Sequence, residues 1–66
     1  MSMLGQVLSL RRQVAQAKTD AAQMLQDARA KRDQRRVDHY SGKTLALITI
    51  LDMIDKEFGL DKEESD

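Results

Sequence analysis

Between Met3 and Ala28 the chain sets an apolar residue at every step of an alternating four–three spacing: Met3, Val7, Leu10, Val14, Ala17, Ala21, Met24 and Ala28. That period lays the residues along one stripe of an α-helix, as a coiled-coil seam requires. A helix with such a stripe must bury it against another helix, so the spacing excludes a strand and a lone polar rod alike. Proline is absent, and no glycine lies between Gly5 and Gly42. The residues between them are mostly Ala, Gln, Arg, Lys, Leu and Met, all good helix formers. With Ser2 as N-cap, the pattern predicts a first helix over about 3–38. The stripe is bulky from Met3 to Val14 and small at Ala17, Ala21 and Ala28, where helices can approach closely. In the same frame the next positions are Lys31 and Arg35, so the seam stops and the helix continues as a basic rod.

A second apolar block runs from Leu45 to Phe58. Its frame comprises Val37, Tyr40, Thr44, Leu47, Leu51, Ile54 and Phe58, offset from the first stripe. The stretch from Asp38 to Lys43 contains Ser41 and Gly42, a possible N-cap and a possible helix terminator, so a turn is predicted at about 39–43. A second helix follows at about 44–58, closed by Gly59 at the left-handed position beyond its end. Residues 61–66 hold four acids against Lys62 and read as a disordered acidic tail. The expected architecture is all-α: a single helical hairpin over 1–60 with a long first helix and a shorter second one. A short arm cannot cover the long seam. The remainder calls for another chain, giving an antiparallel coiled-coil or four-helix-type homodimer. The expected self-association residues are Val7, Leu10, Val14, Ala17, Ala21 and Met24.

At 66 residues the chain is one small domain without the usual small-protein staples. It has no cysteine and one histidine, so no disulfide and no metal or cofactor site is expected. The first five residues lack the basic and apolar segments of a signal peptide, and no apolar run approaches the ~20 residues of a membrane span. A cytoplasmic protein without membrane contact is the expectation. Net charge is zero, yet unevenly placed: residues 1–43 carry nine Lys/Arg against four Asp, and residues 44–66 two Lys against seven Asp/Glu. Such asymmetry points to interaction surfaces.

Two motifs mislead. Gly42-Lys43-Thr44 matches the end of a phosphate-binding loop, but the first glycine of that motif would fall on Val37 and no strand precedes it. Asp38, His39 and Ser41 are hydrolase residue types, but neighbours in sequence cannot line up as a triad. No catalytic residue is assigned, and the chain is not expected to be an enzyme; a partner-dependent enzyme is the remote alternative. The stronger signal is the segment Arg29–Arg36, five basic residues against Asp33. Read as one continuous helix, it supports nucleic-acid binding along phosphates or in a major groove, the alternative function. The leading expectation is a protein–protein interaction module that binds and regulates or inhibits one larger protein. Its candidate partner contacts are Arg32, Arg35, Arg36, His39, Tyr40, Ile50 and Met53. In size and composition alone the profile looks like the small helical accessory and inhibitor proteins of phages and mobile elements.

Overall fold

A break in apolar phase decides where this chain turns. The computed structural model describes residues 3–60. Ser2 and the acidic segment 61–66, read above as an N-cap and a disordered tail, lie outside the described residues. Helix α1 spans Met3–Ala30 and helix α2 spans Gln34–Glu57. They pack against each other as an all-α hairpin. The turn therefore lies at residues 31–33, not at 39–43, and α2 begins about ten residues earlier than the glycine suggested.

The physical reason is legible around the turn. Ala28 is the last residue of the α1 stripe, and Val37 is the first of the α2 frame; no run of four–three steps connects them. The phase must break between them, and the turn takes up the break. Arg32 adopts the left-handed conformation, with φ 56°. Its N–H donates to the Arg29 carbonyl at 3.1 Å, and the Asp33 N–H donates to the Ala28 carbonyl at 3.0 Å. These two bonds form a Schellman closure of α1. Asp33 then caps α2: its carboxylate accepts from the Arg36 N–H at 3.3 Å while its carbonyl accepts from Val37 at 2.9 Å. Gly42 and Ser41 are interior residues of α2 and cap nothing. At the far end Gly59, at φ 70°, closes α2 with its N–H on the Lys56 carbonyl, as the sequence suggested.

The two arms are 28 and 24 residues long, so α2 runs back along nearly all of α1. Arg11 and Asp55 meet across the hairpin near its open end. Nε–Oδ1 is 2.6 Å and Nη2–Oδ2 is 3.0 Å, a two-pronged ion pair that bridges the antiparallel arms. The core between the arms is thin. Among the described residues only Val7, Ala21, Ala28 and Leu51 are buried, with Ala28 at 1% and Ala21 at 3% exposure. Small residues near the turn let the helices close; Val7, Val14 and Leu51 fill the space towards the open end. Thr44 faces this interior, and its hydroxyl is enclosed without a hydrogen-bond partner.

Candidate interaction surface

The seam of α1 is two columns of residues, each spaced by seven, and the fold treats them differently. Val7, Val14, Ala21 and Ala28 turn towards α2 and are buried or half-buried. Met3, Leu10, Ala17 and Met24 lie one step round the helix, on its flank. Leu10 stays 52% exposed and Met24 36%. Half of the predicted seam is thus used inside the hairpin. Of the six residues assigned to self-association, Val7 and Ala21 are covered by the chain's own second helix, Val14 and Ala17 are half-buried, and Leu10 and Met24 are open. The supposed axial overhang is absent, because α2 is long enough to reach Val7. What the fold leaves uncovered is lateral.

Helical geometry tells which flanks lie together. The Arg11–Asp55 pair marks one broad side of the hairpin. In an antiparallel pair the opposite flanks share the other side: Leu10, Ala17 and Met24 from α1, with Leu47, Ile50 and Ile54 from α2. Leu47 and Ile54 are half-buried and Ile50 is 41% exposed. The columns of Leu10 and Leu47 carry no charge within the band, while Asp20 and Asp27 of α1 and Lys43 and Glu57 of α2 border it; the first side carries Arg11, Asp55 and Lys18. Leu4, Leu8, Leu45 and Ile48 add exposed apolar surface on that more polar side, and Met53 points away from both, 62% exposed. Ten large apolar side chains are exposed among the described residues, against four buried apolar residues. Isolated exposed leucines are ordinary, but a contiguous apolar face of this kind marks an interaction surface.

The basic segment is not the continuous rod its sequence implied. The turn cuts it, so Arg29 belongs to α1, Lys31 and Arg32 to the turn, and Arg35 and Arg36 to the first turn of α2. These residues ring the apex instead of lining one helix face. Lys31 is paired with Asp27 at 3.2 Å. Arg29, Arg32, Arg35 and Arg36 have no carboxylate partner among the described residues. Arg36 sits with its Cζ 6.0 Å from the Tyr40 ring, and His39 meets that ring edge-on at 4.7 Å. Arg35 and Arg36 also stand at a helix N-terminus with no acid in its first turn, where the backbone dipole disfavours cations. The apex therefore holds uncompensated positive charge. The seven predicted partner contacts form no single site: Arg32, Arg35, Arg36, His39 and Tyr40 cluster at the apex, while Ile50 and Met53 lie some three to five turns down α2.

Among the described residues no three His, Asp or Glu come together as a metal site. No helix there is long and apolar enough to cross a membrane. No protein-family model matches the chain, and neither a curated protein nor a solved structure matches it.

Proposed function

We propose that this chain is a protein–protein interaction module without catalytic activity of its own. The hairpin pairs with a second copy, and the pair presents a composite surface to one larger protein that it regulates or inhibits. One observation carries the reading. A two-helix unit that buries four apolar residues among those described leaves an apolar band, Leu10, Ala17 and Met24 beside Leu47 and Ile54, along one broad side. Covering it supplies the core that the hairpin lacks. Of the seven contacts assigned to the larger partner, Arg32, Arg35, His39 and Met53 stay outward after pairing, whereas Tyr40, in the column of Leu47 and Ile54, and Arg36 and Ile50, which share a column, lie on the pairing side.

The test is the mass in solution by light scattering at micromolar concentration. Two chains are expected. A Leu10→Asp, Met24→Asp variant is expected to lose the pair, whereas Leu4→Asp, Ile48→Asp, on the more polar side, is expected to keep it. A wild-type mass of one chain, or equal behaviour of the two variants, overturns the reading.

A further inference from the structure

The charges that border the apolar band are sorted by helix. On α1 the border column is Gln6, Gln13, Asp20 and Asp27; on α2 it is Arg36, Lys43, Ile50 and Glu57. The antiparallel arms bring Arg11 level with Asp55. The same spacing, stepped by seven along each helix, brings Asp20 to within about a turn of the level of Lys43, and Asp27 to that of Arg36. These residues stand on opposite edges of the band and do not pair within the chain. Arg36 and Lys43 have no carboxylate partner among the described residues. Asp20 accepts from Gln16 Nε2 at 2.9 Å, and Asp27 holds Lys31 at 3.2 Å. Both carboxylates can accept a further donor.

A second copy can close on the band about a two-fold axis in two ways. With the axis across the helices, the apices point apart, and each helix lies on its own counterpart. Asp20 and Asp27 then face the glutamines of the other α1. Arg36 finds Glu57 of the other α2, but Lys43 finds Ile50. With the axis along the helices, the apices share one end, and each α1 lies antiparallel on the other chain's α2. Symmetry then forbids an axial slide, so the levels within one chain carry over to the contact. Asp20 meets Lys43 of the other chain and Asp27 meets Arg36, each contact made twice. Gln13 meets Ile50 and Gln6 meets Glu57, so no like charges oppose each other along the border. Arg29, Arg32 and Arg35 lie off this column, on the outward surface.

We infer, building on the self-association proposed above, that the second copy docks with its apex at the same end, each α1 on the other chain's α2. The band becomes the core of a four-helix bundle in which every neighbouring pair of helices is antiparallel. Asp20–Lys43 and Asp27–Arg36 ion pairs border it, and such flanking charges select orientation and partner more than they add affinity.

Exchanging the border charges tests this. Asp20 and Lys43 are exposed, so Asp20→Lys and Lys43→Asp are expected to keep the parent's helicity by circular dichroism. Light scattering of the wild type comes first; a one-chain mass overturns self-association and the inference together. In a paired wild type, each variant alone sets like charges against each other twice, and its dissociation constant is expected to rise on the order of tenfold. Mixing the two variants restores opposite charges at both contacts, so native mass spectrometry is expected to show the mixed pair in excess over either like pair. Arg12→Asp mixed with Asp38→Lys, both exposed and off the band, carries the same net charges and is expected to show no such excess. A paired wild type whose mixed variants show no excess, or the same excess in both exchanges, overturns the orientation and leaves self-association standing.

Discussion

Two residues exchange the places their chemistry prefers. Gly42, the residue best suited to a turn, lies inside α2, and Arg32 occupies a left-handed position usually held by glycine. Each choice costs about 1–2 kcal/mol. Both follow from the demand that Val37 and Tyr40 enter the α2 stripe, where they are half-buried. A turn at Gly42 would remove them from it and would forfeit the Asp33 cap. A β-carbon built on Gly42 meets nothing within 4 Å. Gly42→Ala is therefore expected to stabilise the protein by about 1 kcal/mol in chemical denaturation. A loss of stability would return the turn to this residue. The Thr44 hydroxyl is a third local cost: its enclosure without a partner is worth about 1–3 kcal/mol against folding.

At the scale of elements, the turn is three residues that do two jobs. Arg32 and Asp33 supply the N–H groups that close α1, and the Asp33 carboxylate opens α2. Asp33→Ala keeps the backbone bonds and deletes the cap, so a destabilisation of about 1 kcal/mol is expected from denaturant midpoints. An unchanged midpoint would show that the cap contributes nothing. The existence of two helices, the stripe of each and the Gly59 stop were all legible in the sequence, because each is a local pattern. The position of the turn was legible too, in the phase break between Ala28 and Val37. The reading that favoured Gly42 weighed a residue preference of about 1 kcal/mol above the phase of two stripes.

Across the whole molecule, the Arg11–Asp55 ion pair links the two arms in their antiparallel register. The Arg11 guanidinium, through its hydrogen bonds first and its charge second, holds the Asp55 carboxyl below the usual carboxylate range. A depressed folded-state pKa adds stability above the unfolded value near 4, and that stability is lost as pH falls through the folded value. Thermal unfolding of the wild type and of Asp55→Asn between about pH 6 and pH 2 checks this sign. The wild type is expected to melt higher at pH 6, and the gap is expected to close in acid. A gap that widens in acid would contradict the assignment. The same register brings the Leu10 and Leu47 columns together on one broad side and Arg11 and Asp55 together on the other, a property of neither helix taken alone.

The amino-acid sequence by itself determined that this protein is two amphipathic helices with a positive middle and a negative end. Period, helix propensity and charge are properties of neighbouring residues, so they survive without coordinates. Tertiary structure alone decided how the α1 stripe is divided. Only when α2 lies against α1 do Val7 and Ala21 become interior and Leu10 and Met24 surface, since burial depends on which flank the neighbouring helix covers. The apex arginines are likewise adjacent in sequence, but only the turn arranges them as a ring across two helices. That folding-back exchanged an expected overhang along the axis for an uncovered side.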